Sequence, residues 1–257
     1  MSEKSAVAGQ SARWPARLWV VRHGQSAGNV ARDTAEAEGA NLITLEHRDA
    51  DVPLSTLGER QAQALGAWAS ALDAGERPSL VLSSPYLRAR QTAAAVATAL
   101  GRDPGTVIVD ERLREKEFGV LDRYTTHGIV SKFPELAEQR KLVGKFYFRP
   151  PGGESWCDVI FRLRSVVGDL QRNHVGERVM VVGHQVIVNC FRYLLEGLDE
   201  AAILAIDRQG DVPNCGVTAY ATSADGQALE LQRANLVPPA LADTPVTTAA
   251  DRPAGAR

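Results

Sequence analysis

Three kinds of feature are scarce or missing in this chain of 257 residues, and each absence excludes a class of protein. Its three cysteines, Cys157, Cys190 and Cys215, lie far apart without CxxC spacing. We expect reduced, buried thiols, not a disulfide framework or a zinc site. No run approaches about 18 apolar residues, so no membrane-spanning helix is expected. Residues 1–16 lack the apolar core of a secretory signal, and the protein is predicted to be cytoplasmic.

Charge of one sign is also scarce. The chain has 29 Lys and Arg against 31 Asp and Glu, a formal net charge of -2. This balance gives no reason to expect a nucleic acid or an anionic membrane as partner, so any preference for an anion must come from a local cluster of cations. With 44% hydrophobic residues, the chain is long enough to bury a sizeable core as one large domain or two small ones.

Stretches of strand-like and helix-like patterning alternate along the chain. This alternation predicts an α/β fold, a three-layer sandwich with a mostly parallel central sheet and helices on both faces. The predicted strands cover residues 17–21, 80–82, 106–109, 178–182, 216–222 and 229–233, the last two at the sheet edge. Capping boxes predict one helix that begins at Thr56 and another that begins at Ser155. Between them, Ser84-Pro85 supplies a cap and a first-turn proline, which predict a helix that ends at Gly101.

The two ends of the chain differ in composition from its middle. Residues 1–16 are rich in Ser, Ala and Gly, and residues 238–257 in Pro, Ala and Thr, so both are predicted to be disordered tails of a single domain at 17–237. Within that domain, residues 111–154 are charged, contain prolines and lack a strong strand pattern. We expect a lid-like insertion over the C-terminal edge of the sheet, where open α/β sheets bind ligands.

Cations and imidazoles follow three of the predicted strands. Arg22 and His23 end the first strand, Arg88 lies in the first turn of the helix after the second, and His184 follows the fourth. Parallel strands would bring them to one edge, where they could neutralise a phosphoryl group. Singly, each has an ordinary alternative: a chance Arg-His pair, a surface arginine, a core histidine. Their recurrence at strand-to-helix turns favours a site.

Four motifs, in this order, resemble those of the histidine phosphatase superfamily, which includes cofactor-dependent phosphoglycerate mutases and the fructose-2,6-bisphosphatase domain. The motifs are R-H-G at Arg22-His23-Gly24 with Gln25 and Asn29 after it, S-P-x-x-R-x-x-Q-T-A from Ser84 to Ala93, L-x-E from Leu113 to Glu115, and Gly183-His184. The ordered match spans roughly residues 17–222.

The resemblance implies a reaction and a role for each matched residue. His23 would attack phosphorus and carry a phosphohistidine intermediate. Glu115, at the L-x-E position, would protonate the leaving oxygen and then activate water, with Glu117 as the competing candidate. No metal and no other cofactor is implied. The residues expected to bind the phosphoryl group and the rest of the substrate are Arg22, Arg88, His184, Asn29 and Gln25.

One further segment bears on the substrate. Lys145 to Ser155 resembles the K-Y-x-Y-R-Y-P-x-G-E-S run of the fructose-2,6-bisphosphatase domain, and Gln185 matches the glutamine of its H-Q pair. The resemblance implies substrate contacts from Lys145, Arg149 and Gln185, the first two to a second anionic group; a solvated basic loop is the alternative. Thr126 stands where that domain has a substrate-contacting tyrosine, which leaves the particular sugar bisphosphate open.

The leading hypothesis is a metal-independent phosphatase acting on a small phosphorylated metabolite, such as a sugar phosphate or bisphosphate. A phosphoglycerate mutase with the same phosphohistidine is the second, although E-K-E-F-G at 115–119 departs from the E-R-H-Y-G of mutases. A catalytically idle phospho-ligand binder is the third. A metallohydrolase is the fourth, without H-x-x-H or H-E-x-x-H spacing to support it. The oligomeric state is left open.

Overall fold

A computed structural model describes residues 13–242 and shows one mixed sheet of six strands in the order β3-β2-β4-β1-β5-β6. The strands are β1 Arg17–Arg22, β2 Leu80–Ser83, β3 Ile108–Val109, β4 Arg178–Gly183, β5 Val217–Thr222 and β6 Leu229–Leu236. Strands β1 to β4 run parallel, whereas β5 and β6 are antiparallel at one edge. All six predicted strands are present, the third shorter and the last longer than predicted.

Helices cover both faces of this sheet, as the alternating pattern predicts. They are α1 Ala27–Ala37, α2 Thr56–Ala71, α3 Leu87–Ala99, α4 Thr126–Lys132, α5 Pro134–Val143, α6 Trp156–Asn173, α7 Gln185–Leu195 and α8 Glu200–Gln209. Alternate side chains of β1 enter opposite cores, because successive strand residues point to opposite faces. Leu18 and Val20 pack with α6 and α7, and Trp19 and Val21 with α2 and α3. The predicted three-layer α/β class is confirmed.

Two predicted helix starts are corrected and one is confirmed. Helix α2 is capped by Ser55, not Thr56, since the Ser55 hydroxyl accepts the N–H of Gly58 at 3.0 Å. Helix α3 begins at Leu87 with Tyr86 as its cap residue, after the predicted Ser84 cap, although the Ser84 hydroxyl does accept the backbone N–H of Tyr86 at 3.3 Å. Ser155 does form the predicted capping box, with Asp158 as its partner.

The packed part of the chain extends beyond the predicted boundaries at 17 and 237. The indole N–H of Trp14 donates to the carbonyl of Gln227 at 2.8 Å, and Leu241 is buried in the core on the α2 side of the sheet. Residues 13–16 and 238–242 are therefore packed against the domain, which corrects the tail prediction for them. The remainder of both predicted tails lies outside the described residues.

The segment 111–154 contains α4, α5 and two short 3-10 turns, at 111–113 and 119–121. The two ends of this segment pack closely on each other, because a Cβ on Gly119 would lie 2.1 Å from the carbonyl oxygen of Pro151. Its role as a lid stays a prediction. Within residues 13–242 no helix is long and apolar enough to cross a bilayer.

Candidate active site

His23 lies at the C-terminal end of β1 and is only 4% exposed. Its Nδ1 is 2.6 Å from the carbonyl oxygen of Gly24. Because a carbonyl can only accept, Nδ1 carries the proton and Nε2 carries the lone pair. That Nε2 accepts a hydrogen bond from Nε of Arg88 at 3.2 Å. The reactive nitrogen therefore faces the arginine that would bind a phosphoryl oxygen.

The electrostatic surroundings keep His23 uncharged. Burial lowers the pKa of the imidazole well below its ordinary value, and the nearby guanidinium groups of Arg88 and Arg22 lower it further. The neutral form is the nucleophilic one, since protonation would consume the Nε2 lone pair. The site thus holds this histidine in its reactive state at neutral pH.

Arg22, the last residue of β1, is fixed by the segment after α8. Its Nη1 donates to the carbonyl of Val212 at 2.5 Å and lies 3.5 Å from Oε1 of Gln185. The Gln185 amide also accepts the N–H of Val212 at 3.0 Å and donates to Asp211 at 2.7 Å. Gln185, predicted to bind substrate, lines the site and also orients Arg22.

Arg88 lies in the first turn of α3, as predicted, and is held between His23 and Asp49. Its Nη1 and Nη2 donate to the two carboxylate oxygens of Asp49 at 3.0 and 3.1 Å. The third guanidinium nitrogen, Nε, donates to Nε2 of His23. A bidentate carboxylate fixes the plane of a guanidinium group. Asp49 therefore positions Arg88, and no sequence motif marks it.

His184 follows β4 and is fully buried. Its ring lies edge-to-face with that of His23, with 5.1 Å between centroids. Its Nε2 is 2.7 Å from the hydroxyl of Ser84, and its Nδ1 has no hydrogen-bond partner within residues 13–242. Burial and the charge of Arg88 hold its pKa well below the ordinary value. Ser84, predicted from the sequence to be a helix cap, accepts the backbone N–H of Tyr86 and also fixes this ring.

The two candidate acids occupy different surroundings. Glu115 is 9% exposed and lines the cavity beside His23, with Oε1 accepting the N–H of Lys116 at 2.9 Å. Glu117 is exposed, accepts the hydroxyl of Tyr86 at 3.0 Å, and is outside the lining of that cavity. This placement favours Glu115 as the proton donor.

Asn29 and Gln25, both predicted to bind substrate, are placed differently. The Asn29 Oδ1 accepts the backbone N–H and the hydroxyl of Ser26 in a capping box, while the side chain lines the cavity. Its Nδ2 is the donor that remains. Gln25 is outside the lining and fixes its loop to α2, accepting the Ser55 hydroxyl at 2.7 Å. The structure therefore corrects the prediction for Gln25.

Lys145 and Arg149, predicted to bind a second anionic group, both lie outside the catalytic cavity. The Lys145 Nζ is 2.5 Å from Oδ2 of Asp207 on α8, in a buried ion pair. Arg149 makes a two-pronged, largely exposed pair with Asp158 on α6. These carboxylates, which the motif does not reveal, neutralise both cations, so the prediction is corrected. Lys145 lines a separate cavity of about 890 Å³ between α4, α5 and α8.

The catalytic cavity has a volume of about 60 Å³. Its charged lining consists of four guanidinium groups and three carboxylates: Arg22, Arg32, Arg88, Arg123, Asp49, Glu115 and Asp122. Sequence reasoning missed Arg32 and Arg123. Arg32 had a usable signal, since it follows Asn29 by three residues and so shares its helix face. Arg123 had none; its guanidinium donates to the carbonyls of Leu45 and His47 at 3.1 and 2.6 Å.

Two further expectations concern metals and thiols. In the part of the chain that the structure describes, no three His, Cys, Asp or Glu residues are grouped so that they could hold a metal ion. All three cysteines are free thiols; Cys190 and Cys215 are buried as expected, whereas Cys157 is partly exposed.

Known proteins share this fold and sequence. The model of the histidine phosphatase superfamily (branch 1) matches residues 18–235. The probable phosphoglycerate mutase GpmB of Photorhabdus laumondii subsp. laumondii is 28% identical over 202 residues, 79% of this chain and 83% of that protein. A similar GpmB from an Enterobacter species is 28% identical over 203 residues, with the same coverage.

Solved structures give the same assignment. A mycobacterial glucosyl-3-phosphoglycerate phosphatase has a TM-score of 0.67 at 26% identity, covering 85% of this chain and 98% of that one. The alpha-ribazole phosphatase from Shigella flexneri has a TM-score of 0.67 at 22% identity, covering 86% and 96%, and shows the fold alone. The expected enzyme class, a phosphoric monoester hydrolase, is confirmed. The closer likeness to the fructose-2,6-bisphosphatase domain stays a prediction.

The extent of the family match settles the relationship. It begins in β1, which carries Arg22, and ends in β6, so it includes every element that brings a side chain to the catalytic cavity. The chain belongs to branch 1 of the histidine phosphatase superfamily.

Proposed function

We propose that this protein is a metal-independent phosphatase that hydrolyses a small phosphorylated metabolite through a phosphohistidine on His23. One observation carries the proposal: the Nε2 lone pair of an uncharged, buried histidine lies 3.2 Å from Nε of Arg88. Nucleophile and anion ligand are thus adjacent before any substrate arrives. Such preorganisation is how phosphoryl transfer is accelerated, because little covalent chemistry is left to the protein.

In the first step, Nε2 of His23 forms a bond to phosphorus as the bond to the leaving oxygen breaks. Glu115 gives its proton to that oxygen, so the product departs as an alcohol. In the second step Glu115 takes a proton from water, whose oxygen attacks the phosphohistidine. The P–N bond breaks, its electron pair returns to Nε2, and inorganic phosphate leaves. Each group ends in its starting protonation state.

The negative charge that develops on the phosphoryl oxygens needs fixed donors. Arg22 and Arg88 supply guanidinium N–H groups, and Asn29 supplies Nδ2. His184 is outside the lining of the cavity, but its ring lies beside that of His23. If the Ser84 hydroxyl donates to Nε2 of His184, the ring proton lies on Nδ1, which can donate to a phosphoryl group on His23. All of these groups are held by other protein atoms, so they lose little freedom when the anion binds.

The size of the cavity suits the reacting end of the substrate. A volume of about 60 Å³ takes the phosphoryl group, and the rest of the substrate lies partly outside it. Among the neighbours, the mycobacterial glucosyl-3-phosphoglycerate phosphatase acts on a phosphorylated sugar acid and has been solved with VO3 and with inorganic phosphate. These neighbours support a sugar phosphate or a related acid as the metabolite class here.

A phosphate-release screen over phosphorylated metabolites tests the proposal. We expect release for some of them, unchanged by excess chelator, and a loss of at least about a thousandfold in His23→Ala, since the nucleophile is gone. His127→Ala, which alters an exposed histidine on α4, is the matched control and should retain activity. Full activity in His23→Ala would overturn the phosphohistidine route, and loss with chelator would overturn metal independence.

A phosphoglycerate mutase is the second candidate, favoured by the 28% identity to GpmB proteins. The same enzyme preparation distinguishes the two. A coupled assay that shows interconversion of 3- and 2-phosphoglycerate faster than phosphate release would favour the mutase. Phosphate release without interconversion supports the phosphatase.

A further inference from the structure

The catalytic cavity contains two guanidinium groups besides the two that lie beside His23. Arg22 and Arg88 lie beside His23, and Arg32 and Arg123 line the same cavity. Arg32 belongs to α1, one turn beyond Asn29, so both side chains project from one face of that helix. The cavity therefore has a second cationic position, next to the residues that would bind the phosphoryl group.

Arg32 differs from the other three arginines in its bonding. Within residues 13–242 its guanidinium makes no hydrogen bond and no ion pair, while Arg88 is held by Asp49 and Arg123 by two backbone carbonyls. The carboxylates of Glu36 and Asp49 are among those that act on Arg32 at longer range. A guanidinium group has five N–H donors in a rigid fork that matches carboxylate and phosphate. Those donors face the cavity without a protein acceptor.

The surroundings of Arg32 leave its guanidinium available to a charged acceptor. The side chain is half-buried, and loss of hydration lowers the pKa of its guanidinium. A hydrogen bond from a guanidinium to a charged acceptor is stronger than one to a neutral acceptor. Three of the acidic groups that act on Arg32 are already engaged: Glu36 accepts the backbone N–H of Thr126, Asp49 holds Arg88, and Asp122 accepts the backbone N–H of Arg123. A negatively charged ligand group would complete the site.

We propose that Arg32, which lines the same cavity as Arg123, binds a second acidic group of the substrate, a carboxylate or a phosphate. The substrate is then a small phosphomonoester whose second anionic group reaches Arg32 while its phosphoryl group is at His23. This inference rests on the proposed phosphatase function. The sequence predicted that Lys145 and Arg149 bind the second anionic group, but both pair with carboxylates outside the cavity. The proposal assigns that group to Arg32 on α1 and Arg123 in the loop before α4.

Two matched pairs of substrates test the assignment. Glycerol 3-phosphate and 3-phosphoglycerate differ by a carboxylate, and fructose 6-phosphate and fructose 1,6-bisphosphate differ by a phosphate. We expect wild-type kcat/KM to be higher for the acid-bearing member of at least one pair, and the responding pair identifies the acidic group. In Arg32→Gln the ratio of kcat/KM within that pair should fall about 10- to 100-fold, the loss expected for a charge-assisted hydrogen bond.

Arg90→Gln is the matched control, since Arg90 is an exposed arginine of α3 outside the cavity lining, and its ratio should equal that of the wild type. Arg32→Lys, which keeps the charge but loses the fork, should show an intermediate ratio and serves if Arg32→Gln does not fold. An unchanged ratio in the Arg32 variants, or a wild-type preference for the acid-free members, overturns the inference. Absence of phosphate release from every substrate would instead overturn the proposed function.

Discussion

A single carbonyl oxygen decides which nitrogen of His23 can react. The Gly24 carbonyl accepts a hydrogen bond from Nδ1–H of His23. The lone pair is therefore on Nε2, which faces Arg88. The same short loop is pressed against α2, because a Cβ on Gly58 would lie 1.9 Å from the carbonyl oxygen of Gln25. Orientation of the nucleophile thus depends on backbone atoms, whose position requires glycine at 58.

The two buried imidazoles predict how stability responds to acid. Both have pKa values well below the 6.5 of a free histidine, so between that value and the folded-state pKa the unfolded chain binds more protons than the folded one. The free energy of unfolding must therefore fall as the pH falls below about 6.5, by up to about 1.4 kcal/mol per pH unit for each imidazole. Burial of a neutral histidine makes acid destabilising.

Replacing one of these histidines tests that relation. Between about pH 6.5 and 5, His184→Gln should reduce the slope of the unfolding free energy against pH by up to about 1.4 kcal/mol per pH unit, the contribution of one bound proton. Urea unfolding at a series of pH values measures the slope. His127→Gln, at an exposed position of α4, is the control and should keep the wild-type slope. Equal slopes for wild type and His184→Gln would contradict the neutral, buried state.

Residues in local motifs were predictable, and residues brought in by tertiary structure were not. Arg22 ends a strand, His23 and His184 directly follow one, and Arg88 begins the helix after one, so a strand pattern with the motif after it places all four. The counterion of Arg88 is 39 residues away in a loop without periodicity, and that of Lys145 is 62 residues away. A sequence motif shows a cation but not its partner, and for that reason Lys145 was wrongly expected to face the substrate.

Among secondary-structure elements, the register of β1 and β4 assembles the site. Arg22 pairs with Gly183, so both strands end at the same level and deliver His23 and His184 side by side. The inference that these residues meet at one edge of the sheet therefore depended on the predicted parallel pairing. The start of α3 was predicted too early because Ser84 has the form of a cap, and only the folded structure shows that its hydroxyl serves His184.

The buried pair between Lys145 and Asp207 links the segment after α5 to α8, and it predicts a loss of stability. Lys145→Met breaks this ion pair while the Asp207 carboxylate stays buried, and removing one partner of a buried pair typically costs about 3–5 kcal/mol. We expect that loss in urea unfolding, with kcat/KM unchanged at temperatures where the variant is folded. Arg149→Met breaks an exposed pair and should cost about 1 kcal/mol or less. A large rise in KM for Lys145→Met with normal stability would instead show that Lys145 contacts the substrate.

For the whole molecule, alternation of strands and helices predicted the fold class because each element must bury an apolar face. The two cores on opposite sides of β1 follow from the same requirement. Composition alone misplaced the domain ends: Trp14 and Leu241 lie in segments rich in small residues and proline, yet both pack against the domain. The function of the 111–154 insertion as a lid depends on motion and stays a prediction.

The measurement that tests the central claim most directly is detection of the phosphohistidine itself. The protein is mixed with a substrate found in the release screen, quenched within one turnover at alkaline pH, and digested for mass spectrometry. We predict one phosphoryl group on the peptide that contains His23, absent from His23→Ala and present in His127→Ala. Phosphate release at the normal rate with no phosphoryl group on His23 at any quench time, or with the group on another residue, would contradict the account.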